Sequence, residues 1–182
     1  MENILEFKSF RSPSDAGWEE AWKLYEESFP RKETRSLADH LRALEDPRFT
    51  ADGIWLDGEF VGLFYYWHAP GYAYAEHFAI LPTMRGVNIG SRVLAEFCQR
   101  FGRVVLEIDP PETEIAQRRQ RFYERMGFIA NDYLYIHPSF QRPCEPHQLI
   151  LMSYPEPMTE AECHALEQFV RNPVLRYSCH GE

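Results

Sequence analysis

The spacing of hydrophobic and polar positions changes several times along the chain, and each change indicates a new element. Residues 4–10, ILEFKSF, alternate as in a half-buried strand. Aromatic side chains then recur three or four positions apart, as on one face of an amphipathic helix: Trp18, Trp22, Tyr25 and Phe29. Ser14 or Asp15 is the predicted cap of this helix. A second helix is predicted before Pro47 from the spacing of Leu37, Leu41 and Leu44.

The middle of the chain has the period of strands. From Phe49 to Pro82, apolar runs are separated by turn signals at Asp57-Gly58 and Pro70-Gly71, which predicts three antiparallel strands in a meander. Helical spacing returns over residues 88–101, where the apolar positions are Ile89, Val93, Phe97 and Phe101. The run VVLEI at residues 104–108 then predicts a buried strand. Strand, helix and strand form a βαβ unit, whose two strands are normally parallel.

The last third of the chain adds two helices and two strands. One helix ends at Gly127 and begins either near Asp109 to Glu112 or at a Thr113 cap. The runs FIANDYLYI at 128–136 and QLILMSYP at 148–155 are two strand candidates. A final amphipathic helix is predicted after Pro157, with an apolar face of Ala161, Leu166 and Phe169.

Length and composition favour one domain of mixed α/β class. A chain of 182 residues with 45% hydrophobic content is long enough for one sizeable core. We expect a single domain over residues 1–182, with a core at about 4–154 and a helical extension at about 157–182. The longest apolar runs are too short to cross a bilayer, and Glu2 and Glu6 stand where a signal peptide is basic. These features predict a cytoplasmic protein with no membrane partner.

Charge and cysteine content narrow the possible partners. The net charge of −9 and the lack of a long basic run argue against nucleic-acid binding and favour a cationic or neutral partner. The four cysteines are scattered along the sequence, so we expect free thiols. The histidines and cysteines do not follow the usual zinc spacings, and we predict no metal. The sequence leaves a homodimer open.

The stretch MRGVNIGSRVL, residues 84–94, carries the strongest chemical signal. It joins a strand to a helix, and the amino terminus of a helix offers free N–H groups and the positive end of its dipole to an anion. Gly86 and Gly90 leave space for a phosphate, Asn88 and Ser91 add small donors, and Arg85 adds charge. An ordinary strand-to-helix turn is the alternative interpretation.

Two motifs in this order resemble the GNAT superfamily of acyl-CoA-dependent N-acetyltransferases. FAILPTMRGVNIGSRVL is similar to its acyl-CoA signature, although Asn88 stands where the first glycine of a pair is usual. FYERMGF is similar to its second feature, a helix ending in a tyrosine followed by Gly-Phe, here Tyr123, Gly127 and Phe128. The family often has an asparagine seven residues before this tyrosine, and this chain has Ala116.

The resemblance implies a fold and a cofactor site. The fold would be a GNAT-like acyltransferase fold, a central and mostly antiparallel sheet with a parallel, splayed pair of strands, flanked by helices. Acetyl-CoA would be the co-substrate, with its pantetheine arm along the main chain of Phe78, Ala79 and Ile80. Its diphosphate would lie on the turn formed by Arg85, Gly86, Val87, Asn88, Ile89, Gly90 and Ser91.

Direct attack of an amine on a thioester requires a proton acceptor and a proton donor. Glu76 has the strand parity of Phe78 and Ile80 and is the predicted base, and an ion pair with an arginine is its alternative role. Tyr123 is the predicted general acid, by the resemblance. His77 has the opposite parity and is an alternative base that acts through a water molecule.

The resemblance therefore implies an enzyme that transfers acetyl from acetyl-CoA to a primary amine of a small molecule or peptide. We interpret most residues of the aromatic runs as core, and name as candidates for an acceptor pocket Tyr65, Trp67, Tyr133 and Tyr135. A non-catalytic acyl-CoA sensor is one alternative. A nucleotide-binding protein of another fold, with Glu107 or Asp109 on a ribose, is a second, but such a fold does not predict the antiparallel meander.

Overall fold

A computed structural model describes residues 3–181, so the expectation drawn from Glu2 lies outside the described residues. Five α-helices, α1 to α5, span Trp18–Ser28, Leu37–Ala43, Ile89–Phe101, Glu114–Arg125 and Glu160–Arg171. Eight strands in this part of the chain, β1 to β8, span Leu5–Ser9, Phe49–Leu56, Glu59–Ala69, Tyr72–Ile80, Val104–Ile108, Ile129–Ala130, Tyr135–His137 and His147–Tyr154. No helix within residues 3–181 is both long and apolar enough to cross a membrane.

The strands form one mixed sheet in the order β1-β2-β3-β4-β5-β8-β6, and β7 pairs with β8 off this path. All neighbours are antiparallel except β4 and β5, which are parallel and are joined through α3. The predicted meander and the βαβ unit are both confirmed. The mixed α/β class with a mostly antiparallel sheet and one parallel pair is confirmed as well.

Two apolar clusters cover the two faces of the sheet. Alternation along β5 separates them, because Val105 lies in the first cluster while Val104 and Leu106 lie in the second. Helices α1 and α5 supply the first cluster, and α3 supplies the second with partly buried side chains of α4. The helical extension after residue 157 therefore packs on the same core as α1.

Several local predictions need correction. The residue that precedes helix α1 is Gly17, whose backbone is in the left-handed conformation. The Asp15 carboxylate does not cap the helix but accepts hydrogen bonds from two backbone N–H groups of the preceding loop. Thr113 caps α4, which settles the open choice for its start. The predicted strand at 128–136 is divided into β6 and β7. The buried face of α5 is Cys163, Leu166 and Val170, so Leu166 of the predicted face is confirmed, Phe169 is only partly buried and Ala161 is exposed.

Strands β4 and β5 separate after only three paired positions. Their pairing ends at Ala75 and Leu106, although both strands continue beyond it. β5 remains paired with β8 as far as Ile108, and β4 remains paired with β3 as far as Ile80. The free stretches of β4 and β5 form a gap in the sheet, as the family resemblance implies.

A β-bulge in β4 lies at the start of this gap. The register with β3 shifts between Tyr65 and Tyr66, and Glu76 is the extra residue on β4. A bulge changes which face the following side chains point to. Phe78 and Ile80 therefore pack in the second cluster, whereas Glu76 and His77 both contact groups on the first face. The parity that we assigned to Glu76 and His77 from the sequence is wrong for this reason.

Glu76 forms an ion pair with Arg35 inside the core. The guanidinium donates to both carboxylate oxygens, at 2.5 and 2.8 Å, and the two side chains are 0% and 2% exposed. The indole Nε1 of Trp67 donates a third hydrogen bond to Glu76, at 3.2 Å. Arg35 also lies against the ring of Phe140, 4.6 Å from its centroid. The pair links the segment before α2 to the bulge of β4.

We predict that Arg35→Met destabilises the protein by about 3–5 kcal/mol at neutral pH, because it leaves the Glu76 carboxylate buried without its counter-charge. In the wild type, Arg35 lowers the pKa of Glu76 below its unfolded value, so this stabilisation is lost as the pH falls. In the variant, burial without a counter-charge raises the pKa of Glu76, and protonation of this carboxylate removes the free-energy cost of burying its charge. The difference in unfolding free energy between the two proteins therefore begins to decrease above the unfolded pKa of about 4.3, where Glu76 of the variant takes up its proton, and it decreases further below that value, where the wild type loses its ion pair. Denaturant unfolding at several pH values measures it.

Two variants serve as controls for Arg35→Met. Arg118→Met removes an exposed pair with Glu114 and changes stability by less than about 1 kcal/mol. The double variant Arg35→Met/Glu76→Leu recovers most of the lost stability, because no unpaired charge remains. A double variant as unstable as Arg35→Met alone contradicts the electrostatic explanation and points to lost packing.

Candidate active site

A cavity of about 290 Å³ passes through the gap between β4 and β5. Its lining comes from both faces of the sheet. Phe78 and Leu94 belong to the second cluster, and Phe140 and Leu149 belong to the first. The cavity is therefore bounded by side chains of both faces of the sheet.

The turn before α3 has the backbone that an anion site requires. Gly86 has φ 85°, and a side chain there would meet no atom within 4 Å, so the turn is open above this residue. Asn88 immediately precedes α3 with φ 61°, in the left-handed region where glycine is usual. Its side chain makes no capping hydrogen bond, so it does not occupy the N–H groups of the first turn of α3. These features fit a diphosphate and accommodate the departure from the family motif.

The free edge of β4 presents alternate residues to the gap. The Leu81 N–H donates to the Val61 carbonyl at 2.9 Å, which makes this a hydrogen-bonded position facing β3. Because backbone groups alternate sides along a strand, those of Ala79 also face β3, and those of Phe78 and Ile80 face the gap. The expectation that Ala79 offers its main chain to a pantetheine arm is thereby corrected.

Glu107 on β5 is the carboxylate best placed for chemistry. Its Oε1 accepts hydrogen bonds from the hydroxyls of Tyr74 and Tyr135, at 2.8 and 2.6 Å, and its side chain is 12% exposed. Its Oε2 accepts no hydrogen bond from any described residue. Burial raises the pKa of Glu107 to about 7 and the negative charge of Glu76 adds to this, while the two tyrosine hydrogen bonds lower it.

Glu76 lines the same cavity in a different electrostatic state. Burial alone raises the pKa of this carboxyl, but the charge and hydrogen bonds of Arg35 lower it more, so the pKa lies far below its usual range. A carboxylate held in this state is a poor proton acceptor. The geometry therefore conflicts with our prediction that Glu76 is the base and agrees with its alternative, an ion pair with an arginine.

His77 is also held in place on the acceptor side. Its Nε2 lies 2.7 Å from the carbonyl oxygen of Glu33, its Nδ1 lies 3.4 Å from a carboxylate oxygen of Glu76, and its ring packs edge-on against Tyr25. The Nδ1 atom is buried and has no hydrogen-bond partner within residues 3–181. The water-mediated role that we gave His77 as an alternative stays a prediction.

Tyr123 lines the cavity from α4. Its ring packs against Phe128, with centroids 5.6 Å apart, and burial raises the pKa of its phenol to about 12. The hydroxyl makes no hydrogen bond with another described residue. It therefore remains protonated at neutral pH and has a proton to donate, as a general acid requires.

The end of the cavity on the first face is rich in acidic and imidazole groups. The carboxylate of Glu33 lies 3.7 Å from Nε2 of His147, and His137 Nε2 lies 3.9 Å from Oε2 of Glu107. Burial and the charge of Asp109 raise the pKa of Glu33. These side chains place the carboxylates of Glu33 and Glu107 at this end of the cavity, beside the ring of Phe140.

The four aromatic residues named for the acceptor pocket do not line this cavity. Tyr65 and Trp67 are at most 1% exposed and belong to the first cluster. Tyr135 is buried and holds Glu107, and Tyr133 donates to Glu167 on α5. The core interpretation is therefore correct for most of them.

The sequence analysis missed Glu107 as a candidate base. We noted it only as a ribose ligand in the nucleotide-binding alternative. The available signal is a single acidic residue inside the buried run VVLEI, which β5 places on the side of Tyr74. His137 and His147 were also missed, because they reach the cavity only through the pairing of β7 with β8.

Comparisons with known proteins agree with this geometry. A protein of the GNAT family from Bacteroides thetaiotaomicron matches with a TM-score of 0.87 and 26% identity, over 93% of this chain and 98% of that one. A GNAT acetyltransferase from Elizabethkingia anophelis with bound acetyl-CoA matches with a TM-score of 0.55 and 12% identity, over 82% and 96% of the two chains.

The ribosomal-protein-S18-alanine N-acetyltransferase from Escherichia coli has a TM-score of 0.54 and 15% identity, over 86% of this chain and 96% of that one. The last two similarities show the fold alone. The comparison with curated proteins finds no match. Residues 16–128, more than half of the chain, match the family model described as the acetyltransferase (GNAT) family. The chain therefore belongs to the GNAT family of acyltransferases.

Proposed function

We propose that this protein transfers the acetyl group of acetyl-CoA to a primary amine of a cationic small molecule or peptide, with Glu107 as the base. The observation that carries the proposal is the position of Glu107 in the gap, with a pKa near neutrality and an Oε2 atom that accepts no hydrogen bond within residues 3–181. Acetyl-CoA supplies the acetyl group, and the residues of this chain position it and move the protons.

Glu107 removes the proton that the attacking amine must lose. Between pH 7 and 8 a carboxyl with a pKa of about 7 is at least half ionised, and it is basic enough to accept a proton from an ammonium group. The two tyrosine hydroxyls bind Oε1 and direct Oε2 as the accepting atom. General bases positioned in this way contribute about 10²–10⁴-fold to rate.

Tyr123 donates a proton to the departing thiolate in this proposal. Its motif supports the role by the family resemblance, and its protonated phenol in the cavity supports it chemically. Arg85, Gly86 and the residues from Val87 to Ser91 would hold the diphosphate, with the backbone of Phe78 and Ile80 along the pantetheine arm.

The carboxylates that line the cavity indicate that the acceptor amine is cationic. Glu33, Glu107 and Asp109 line the cavity, and the net charge of the chain is −9. The carboxylate of Asp109 pairs with Arg119 at 3.2 Å, whereas Glu33 and Glu107 lie beside His147 and His137, at 3.7 and 3.9 Å. A cationic amine finds complementary charge there. An N-acetyltransferase of the cytoplasm is consistent with this proposal.

We predict that the protein binds acetyl-CoA and free CoA in calorimetric titration and does not bind a nicotinamide dinucleotide. Arg85→Ala weakens CoA binding about tenfold, because it removes a charge-assisted contact to the diphosphate. Arg100→Ala, at the other end of α3, is the control and leaves the affinity unchanged. If the wild type, Arg85→Ala and Arg100→Ala bind CoA with equal affinity, the diphosphate does not bind at Arg85. If the wild type binds no CoA, both the enzyme and the sensor interpretations are wrong.

We predict that Glu107→Gln lowers kcat/KM by about 10²-fold or more, because the amide keeps the shape of the side chain and loses its basicity. CoA affinity and the melting temperature stay close to wild type, and both are measured alongside turnover of a panel of diamines and amino-terminal peptides. Tyr123→Phe lowers kcat, and the rise of kcat/KM with increasing pH stays at the same pH as in the wild type. Full turnover by Glu107→Gln excludes Glu107 as the base.

The pH profile gives a sharper test of the same role. Wild-type kcat/KM rises with pH through an apparent pKa near 7 as Glu107 ionises. The Tyr135 hydrogen bond lowers the pKa of Glu107, so Tyr135→Phe moves this limb to higher pH. Tyr133→Phe, which removes a hydrogen bond to Glu167, is the matched control and leaves the limb unmoved. If kcat/KM of Tyr135→Phe rises at the same pH as that of the wild type, the ionising group is not Glu107.

A further inference from the structure

Two cysteines and a histidine converge at a point outside the cavity. Cys144 lies in the loop between β7 and β8, and Cys179 and His180 lie near the end of the described chain. The two Sγ atoms are 3.9 Å apart, and one ligand atom from each of the three residues lies within 4.8 Å of the others. Although these cysteines are separated by 35 positions in the sequence, the fold brings them together.

The separation of the two sulfur atoms fits a shared metal ion. Thiolates bind Zn²⁺ at about 2.3 Å, so two of them on a tetrahedral ion lie about 3.8 Å apart. A disulfide requires the sulfur atoms at about 2.05 Å, and the side chains must then move toward each other. The observed 3.9 Å agrees with the first arrangement.

Hydrogen bonds to one loop already orient the potential ligands. His180 Nε2 lies 2.8 Å from the carbonyl oxygen of Ser139, and Cys179 Sγ lies 3.8 Å from the same oxygen. The backbone N–H of Cys179 donates to the carbonyl of Phe140 at 2.9 Å. The Ser139 hydroxyl accepts the N–H of Glu145, which orders the loop beside Cys144. The segment of Ser139 and Phe140 therefore holds Cys179 and His180 close to Cys144.

We propose that Cys144, Cys179 and His180 bind one Zn²⁺ ion, with water or an external ligand in the fourth position. Two thiolates and one imidazole are ligands that select zinc over magnesium or calcium. The close sequence spacing of ordinary zinc motifs is absent, which explains why our sequence analysis predicted no metal.

The three ligands lie on two segments of the chain, and one of these segments also lines the cavity. Cys144 is on the loop that also carries Phe140, and this loop continues into His147, so two cavity residues flank the ligand. The other two ligands follow the turn of residues 174–177, which packs beside α2 and α5. A bound ion therefore fastens the acceptor end of the cavity to the carboxyl-terminal segment.

The test is titration of the reduced, metal-free protein with Co²⁺ and then Zn²⁺ in a non-thiol reductant. We expect one Co²⁺ per chain with thiolate charge-transfer absorption and the d–d bands of a tetrahedral ion, both abolished by one equivalent of Zn²⁺. Zn²⁺ also protects Cys144 and Cys179 from alkylation, as located by peptide mass. Cys144→Ser, Cys179→Ser and His180→Gln each weaken Zn²⁺ binding at least tenfold.

Two variants outside the cluster serve as controls. His164→Gln removes an exposed histidine of α5, and Cys98→Ala removes a buried thiol of α3, and both bind Co²⁺ like the wild type. The proposal is overturned if Co²⁺ gives no thiolate absorption, if the three variants keep wild-type affinity, or if the two cysteines form a disulfide in air with Zn²⁺ present. These readouts do not depend on acetyl transfer, so they stand apart from the proposed activity.

Discussion

The buried ion pair between Arg35 and Glu76 is the constraint on which the site depends. Two charges at most 2% exposed remain in a core when they neutralise each other and most of their polar atoms are hydrogen-bonded; here only Nε of the guanidinium lacks a partner within residues 3–181. Trp67 supplies such a donor, and the β-bulge turns Glu76 toward the guanidinium. The same bulge lies where β4 leaves β5. The ion pair thus fixes the point at which the sheet opens.

The fold was largely predictable from the sequence because its elements have strong local signals. Apolar period and turn residues predict the meander, and MRGVNIGSRVL with FYERMGF indicates the family. The side on which Glu76 points was not predictable, because a bulge adds one residue to a strand without changing the hydrophobic pattern around it. The carboxylate on β5 was missed for a similar reason, since Tyr74 and Tyr135 meet Glu107 only through strand pairing.

Asn88 shows how a departure from a motif is accommodated. A first glycine at this position allows a left-handed backbone before the helix, and asparagine adopts the same conformation at low cost, here with φ 61°. The N–H groups at the start of α3 stay free because the amide does not cap them. The difference from the motif therefore gives little support to a sensor that has lost its chemistry, and Ala116 remains the other departure.

Two glutamates in one cavity have opposite electrostatic environments, and this separates their roles. Arg35 holds Glu76 ionised, so Glu76 serves structure and adds a fixed negative charge near the gap. Burial raises the pKa of Glu107 to about 7 and the charge of Glu76 adds to this, so that this carboxyl exchanges protons readily near neutral pH. The ion pair thus influences chemistry at a distance, because a neutral Glu76 would lower the pKa of Glu107. The buried charge of Glu76 therefore contributes both to the stability of the fold and to the basicity of Glu107.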